Sequence, residues 1–190
     1  MRKIVFFAIF LSAFGAKAQS INNKGITETY AGIGFGPLQI VLSEYFSGFN
    51  YPSNFNLITT DLLSGSMGVD YFTGKYFSIG GQINYYQRSL RTINAAGIEE
   101  RGNFQLITPM IKIKANWLNR EKVSLYSNYL LGIGFGTMRK FSTLKNETAI
   151  FPAGQYNFIG VRVGRDIAFF AEVGSGFQGV LTVGLSARFK

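Results

Sequence analysis

Apolar and polar residues alternate along most of the chain. In the last stretch, for example, Leu181, Val183 and Leu185 share one parity, whereas Thr182 and Ser186 share the other. Alternation with a period of two places successive side chains on opposite faces of a β-strand. No stretch beyond the N-terminal region keeps the spacing of an amphipathic helix. The pattern therefore predicts an all-β protein.

The alternation predicts eight strands, and the segments between them predict how the strands connect. The strands are placed near residues 28–38, 63–72, 76–88, 103–116, 123–137, 151–164, 167–175 and 179–189. Short turns are expected at 73–75, 117–122 and 165–166, a brief connection at 176–178, and long loops at 39–62, 89–102 and 138–150. Short turns at one end and longer loops at the other are typical of an eight-stranded antiparallel transmembrane β-barrel.

Each predicted strand has one face that is nearly free of charge. If that face meets lipid, the charged strand residues lie inside the barrel, namely Glu28, Asp70, Lys112, Lys114, Arg162, Glu172 and Arg188. An eight-stranded barrel is just wide enough for side chains to fill it, and buried opposite charges pair. We therefore expect a packed, ion-paired interior rather than a wide pore. The alternative, a soluble sandwich or lipocalin-like barrel, would carry more charge on its exterior.

Aromatic and glycine residues fit the same arrangement. Rings near turns and loop roots are expected to form two interfacial belts: Tyr71, Tyr76, Phe77, Trp117, Tyr85, Phe104, Phe135 and Phe189. The sequence Gly-Ile-Gly-Phe-Gly occurs at 32–36 and again at 132–136. Its glycines are expected to relieve crowding inside a narrow barrel.

The N-terminal region predicts export. Arg2 and Lys3 precede an apolar stretch over residues 4–11, and small residues follow at Ala16 and Ala18. This pattern is typical of a cleaved signal peptide over residues 1–18, which leaves a barrel domain over 19–190. A retained helix is the alternative, but the apolar stretch is shorter than the ~20 residues a membrane span needs.

With these features the chain resembles the small outer-membrane barrel superfamily typified by the OmpA transmembrane domain and OmpX. The likeness lies in the alternation, the loop asymmetry and a final strand over 179–190 that is similar to the family's C-terminal insertion signal. The family usually ends on an aromatic residue, whereas here Phe189 is penultimate. The cleavage region at 16–19 is similar to signals common in Bacteroidota. The resemblance implies an outer-membrane location with both termini in the periplasm.

The chain contains no histidine and no cysteine. A serine–histidine lipid hydrolase or acyltransferase, a histidine metal site and a cysteine nucleophile are therefore excluded. We expect no catalytic residues, no cofactor and no metal. Residues 174–179 match G-x-G-x-x-G, but no helix follows to bind a phosphate, so a tight external hairpin is expected there.

The loops carry two further candidate sites. The first predicted loop contains Tyr45, Phe46, Phe49, Tyr51 and Phe55, which could dock a partner or pack over the barrel mouth. Arg88, Arg91, Arg101, Arg139, Lys140 and Lys145 could contact lipopolysaccharide phosphates or form a solvated rim. The net charge of +9 is modest and dispersed, which is atypical of nucleic-acid binding.

These observations predict a non-enzymatic outer-membrane barrel with a structural, surface-binding or complex-accessory role. Its expected partners are outer-membrane lipid, lipopolysaccharide and a larger outer-membrane protein complex. One alternative is a narrow channel for ions or small solutes, which needs a continuous wet path through the interior. A second alternative is a barrel enzyme that acts on membrane lipid.

Overall fold

The computed structural model describes residues 24–36, 63–93, 99–140 and 146–189. The strands are β1 (Thr27–Phe35), β2 (Leu63–Phe72), β3 (Phe77–Ile93), β4 (Glu99–Asn119), β5 (Val123–Lys140), β6 (Asn146–Gly164), β7 (Ile167–Gly176) and β8 (Leu181–Phe189). Each strand pairs with the next one in antiparallel fashion, and β8 pairs with β1. The sheet therefore closes, which confirms the predicted eight-stranded antiparallel barrel. The described residues include no helix that is long and apolar enough to span a membrane.

The two ends of the barrel carry different connections. Residues 73–76, 120–122 and 165–166 connect strands at one end, where Thr27 and Phe189 also lie as paired residues. We call this the turn end. Residues 36–62, 94–98, 141–145 and 177–180 connect strands at the opposite end, which we call the loop end.

Two of the predicted long loops are wrong, because strands occupy most of their residues. β3 and β4 stay paired as far as Ile93 and Glu99, and β5 and β6 as far as Arg139 and Asn146. Strands β3 to β6 therefore extend beyond β1, β2, β7 and β8 at the loop end. The alternation of apolar and polar residues fades there because a strand that does not contact an apolar environment does not need an apolar face.

Two irregularities in the register adjust which side chains face inward. The β4–β5 register shifts between Asn116 and Leu118, so Trp117 is an extra residue that points outward. The register of β6 shifts between Asn157 and Ile159, and Phe158 and Ile159 are both exposed. Such β-bulges change the parity of a strand, and here the parity change brings both Asn157 and Arg162 inside.

The barrel interior changes character along its axis. The turn half holds charged side chains, and the loop half holds a cluster of buried apolar residues: Tyr86, Phe104, Leu106, Met110, Leu130, Phe151, Ala153 and Phe177. Phe104 is 6% exposed and packs inside. Its predicted place in an outer aromatic belt is therefore wrong, because its even position on β4 has inward parity.

Inward glycines make room for the large interior side chains. A Cβ added at Gly134 would overlap the ring of Phe151, and one added at Gly160 would overlap the ring of Tyr126. The repeated glycine motif thus has the expected steric role, because the rings occupy the volume that side chains on the neighbouring strands would need.

Candidate functional site

The outer wall of the barrel is apolar wherever its side chains are described. Exposed large hydrophobic side chains occur on all eight strands, with Met67, Ile111 and Phe169 among the most exposed. Among the strand residues whose side chains are described, no charged residue lies on the outward face. The usual arrangement of a water-soluble protein is therefore inverted, since charged and amide side chains are inside and aliphatic ones are outside.

All seven charged residues singled out from the sequence lie inside the turn half of the barrel. Glu28, Asp70, Lys112, Lys114, Arg162 and Glu172 are buried, and Arg188 is nearly so. They come from six strands, β1, β2, β4, β6, β7 and β8. We call this set the charge cluster.

Asp70 and Glu28 each bind more than one cation of the charge cluster. The Nζ atom of Lys114 lies 2.7 Å from Asp70 Oδ2 and 2.9 Å from Glu28 Oε1. Lys112 Nζ lies 3.5 Å from the same oxygen of Asp70. Glu28 Oε2 also accepts from Arg188 Nε at 2.5 Å. Glu28 on β1 thus binds cations from β4 and β8, and Asp70 on β2 binds two cations from β4, which connects strands across the interior.

Arg162 and Glu172 complete the charge cluster, and both also have neutral hydrogen-bond partners. Arg162 Nε lies 3.3 Å from Glu28 Oε2 and donates to Ser186 Oγ at 2.8 Å. Its terminal nitrogens donate to carbonyl oxygens of the 164–166 turn. The two oxygens of Glu172 accept from the amides of Asn128 and Asn157, both at 2.8 Å. These bonds compensate the desolvation of both charged groups.

Aromatic rings surround the cations of the charge cluster. Lys112 Nζ lies 4.0 Å from the ring centre of Tyr30, and Lys114 Nζ lies 5.0 Å from that of Tyr126. The ring of Phe72 lies 5.2 Å from Lys114 Nζ. These rings were not among the residues predicted to face the interior. Parity could have shown them, because Tyr30 and Phe72 each lie two residues from an inward acid.

The connection between β7 and β8 folds into the barrel at the loop end. Phe177 and Gln178 are 7% and 1% exposed, so the expected hairpin is present but turns inward. The Gln178 carbonyl accepts from Ser64 Oγ at 2.8 Å, and its backbone N–H donates to Gln155 Oε1 at 2.9 Å. The G-x-G-x-x-G match is explained by this inward turn, since Gly176 and Gly179 have φ values of 140° and 117°.

The charge cluster does not have the composition of a catalytic or metal centre. Its acids lie beside lysines, arginines and amides, and no group of three or more metal-ligating residues occurs among the described residues. Its groups can hold the strands together and fill the interior. They cannot supply a nucleophile with a histidine base, because the chain has no histidine.

The other candidate residues are only partly placed. Arg88 is half-buried on β3 and interacts with other groups. Arg91, Arg101, Arg139 and Lys140 lie on strands β3, β4 and β5, and the structure describes their backbone alone. Lys145, the aromatic set Tyr45, Phe46, Phe49, Tyr51 and Phe55, and the predicted signal peptide lie outside the described residues.

No protein-family model matches the chain, and no curated protein is similar to it in sequence. Among solved structures, the chain is similar to Ail, the attachment invasion locus protein of Yersinia pestis, with a TM-score of 0.47 and 13% identity over 87% of this chain and 99% of Ail. It is also similar to the N-terminal β-barrel domain of Pseudomonas aeruginosa OprF, with a TM-score of 0.48 and 8% identity over 89% of this chain and 100% of that domain.

Proposed function

We propose that the protein is a non-enzymatic component of an outer membrane, whose barrel spans the lipid and presents strands β3 to β6 beyond it. The inverted arrangement of side chains carries this proposal. An exterior on which none of the described strand side chains is charged, around an interior that contains the charge cluster, would be unstable in water, whereas it matches hydrocarbon outside and a polar interior.

Outward aromatic residues support the position of the membrane. Tyr71, Phe77, Trp117 and Phe189 lie at or next to the turn end, and each is at least half exposed. Rings of this kind favour the boundary between headgroups and hydrocarbon. Charged residues of the turns, such as Lys122 and Arg165, are exposed beyond these rings. The turn end therefore suits a membrane interface, and its short connections favour the periplasmic side.

The first experiment tests insertion. The full chain, refolded from denaturant into phosphatidylcholine vesicles, is expected to float with the vesicles on a density gradient and to resist extraction at alkaline pH. Its matched control is the Ile111→Glu variant, which places a charge on the outward face and is expected to insert less. A folded, monomeric wild-type chain in detergent-free buffer would contradict the proposal.

The filled interior supports a role other than conduction. The charge cluster is buried in the turn half, and the apolar cluster and the inward hairpin occupy the loop half. In planar bilayers we expect no conductance from the wild-type chain, and none after neutralising Arg162 or Glu172. Stable single-channel currents from the wild-type chain would instead favour the narrow channel.

The projecting strands favour lipopolysaccharide as the surface partner. Arg91 lies directly opposite Arg101, and Asn103 lies opposite Arg139, so three arginine positions occur close together on β3, β4 and β5. Like charges at opposed positions destabilise a sheet, and a bound phosphate would relieve this repulsion. A variant with Arg91, Arg101 and Arg139 all changed to glutamine is therefore expected to retain less lipopolysaccharide than the control Lys75→Gln, which lies at the turn end. Equal retention would exclude this partner site.

A further inference from the structure

A chain of buried amides runs along the inner face of β3. Tyr30 Oη donates to Gln82 Oε1 at 3.0 Å, and Gln82 Nε2 donates to Asn84 Oδ1 at 2.6 Å. Because the side-chain oxygen of Asn84 faces Gln82, its amide nitrogen is directed away from this chain. Asn84 is 2% exposed, yet its Nδ2 has no hydrogen-bond partner in the described part of the protein. The chain of amides therefore ends on an unpaired donor.

A second chain of amides runs from the charge cluster to the inward hairpin. Asn157 Nδ2 donates to Glu172 Oε2 at 2.8 Å, and Gln155 Nε2 donates to Asn157 Oδ1 at 2.7 Å. Gln155 in turn accepts from the backbone N–H of Gln178 and donates to the carbonyl oxygen of Gly179 at 3.0 Å. The side chain of Gln178 is buried, but its Oε1 has no hydrogen-bond partner among the described residues. This second chain therefore ends on an unpaired acceptor.

The two unpaired atoms lie on either side of Ser66. In the β2–β3 register Ser66 is directly opposite Asn84, and its Oγ lies 3.5 Å from Gln178 Nε2. Thr108 on β4 is opposite Asn84 on the other side. Ser66 and Thr108 are both buried, polar and short. The interior beside the Asn84 amide is therefore polar, and no large side chain from β2 or β4 fills this row.

An unpaired donor beside an unpaired acceptor selects one kind of ligand. Each atom is costly to bury without a partner. A cation would be repelled by the amide hydrogens of Asn84, and an anion by the amide oxygen of Gln178. A water molecule can accept from one group and donate to the other, with a second hydrogen left for Ser66 Oγ. We propose that Asn84, Gln178 and Ser66 form a buried binding site for one water molecule, which accepts from Asn84 Nδ2 and donates to Gln178 Oε1.

This water closes a ring of polar contacts through the barrel interior. The ring is completed in the turn half, where Lys112 Nζ lies 4.0 Å from the ring centre of Tyr30 and 3.8 Å from Glu172 Oε1. In order, the contacts pass through Glu172, Asn157, Gln155, Gln178, the water, Asn84, Gln82, Tyr30 and Lys112. Polar groups in one network strengthen one another. The inward hairpin and the charge cluster therefore form one cooperative unit, although they lie in opposite halves of the barrel.

Nuclear magnetic resonance of the full chain folded in detergent micelles detects the water directly. The side-chain amide signal of Asn84 is assigned by its loss in Asn84→Leu, or in Asn84→Ser if the leucine prevents folding. We expect nuclear Overhauser transfer from water to this amide. Asn157 is the internal control, because its Nδ2 already donates to Asn128 Oδ1 and Glu172 Oε2, both at 2.8 Å. No transfer from water is expected at Asn157.

A double-mutant cycle tests whether the two groups share the water. Gln178→Met removes the acceptor and Asn84→Leu removes the donor, each with little change in size. Each single variant should raise the unfolding equilibrium constant in a urea titration, and the double variant should raise it about tenfold less than the product of the single effects. The control cycle pairs Gln178→Met with Ser78→Ala, whose hydroxyl is also buried and unpaired but lies near the turn end of β3. These two effects should be independent.

Three outcomes would overturn the proposal. Absence of transfer from water to the Asn84 amide, or equal transfer to Asn84 and Asn157, would show that no water is bound at this site. Transfer between the side-chain amides of Asn84 and Gln178 without transfer from water would show that the two groups contact each other directly. Independent effects of Asn84→Leu and Gln178→Met would show that they share no ligand. The resonance measurement uses the wild-type chain, so it remains decisive if a variant does not fold.

Discussion

Asp70→Asn tests whether the charge cluster stabilises the barrel. Asp70 is 0% exposed, and its carboxylate lies within ion-pair distance of Lys114 and Lys112. The substitution keeps the size of the side chain and removes its charge. The cluster then loses one of its three acids while all four bases remain.

The expected cost follows from the remaining partners. Removing one member of a buried ion pair typically destabilises a protein by about 3–5 kcal/mol. Here Lys114 keeps Glu28 at 2.9 Å and Lys112 keeps Glu172 at 3.8 Å, so we expect the low end, about 3 kcal/mol. Adding Lys114→Met removes the surplus cation. The double variant should therefore recover about 1–3 kcal/mol relative to the sum of the two single effects.

The free energy of unfolding can be measured by urea titration of the protein in vesicles. Fluorescence of Trp117, the only tryptophan of the chain, reports unfolding because its exposed ring leaves the lipid. Asp166→Asn, at an exposed turn position, is the control and should change stability by less than ~0.5 kcal/mol. If Asp70→Asn behaves like this control, or if the double variant is additive, the charge cluster does not stabilise the fold as described.

Three other substitutions test the wall and the interior with the same titration. Ile111→Lys, at an outward position that is 65% exposed, should cost about 2–4 kcal/mol in vesicles, and an unchanged stability would place this position outside hydrocarbon. Gly134→Leu would overlap the ring of Phe151 and should cost at least about 1–3 kcal/mol; a neutral effect would mean that the ring has free space to move. Phe177→Ala removes a ring whose centre lies 5.7 Å from that of Phe151 and should lower the free energy of unfolding by about 3–5 kcal/mol. A smaller decrease than for the same substitution at an exposed phenylalanine would show that the hairpin does not pack inside.

Parity explains how the sequence could predict the barrel and its inward charges. An antiparallel strand has a strict period of two, and a one-residue slip would move every side chain to the wrong face. Lys112 and Lys114, for instance, have the same parity and must share a face. The same parity places Tyr30 and Phe72 on the inward faces of β1 and β2, although aromatic residues were predicted only in the belts and loops.

Strand ends were predicted less well because alternation reports the environment of a strand and not its hydrogen bonds. Residues 89–93 and 99–102 continue the ladder of β3 and β4, yet their sequence has no apolar face. The inward turn of Phe177 and Gln178 was also beyond the sequence, since its partners Ser64, Gln155 and Phe151 come from β2 and β6.

The sequence by itself therefore determined an eight-stranded all-β chain and, away from the β-bulges near Trp117 and Phe158, the face on which strand residues lie, because both follow from local periodicity. Only the tertiary structure decided which inward groups meet, since pairing such as that of Glu28 with Lys114 and Arg188 depends on closure of the sheet. Contacts between strands depend on register and closure, and no short stretch of sequence contains that information.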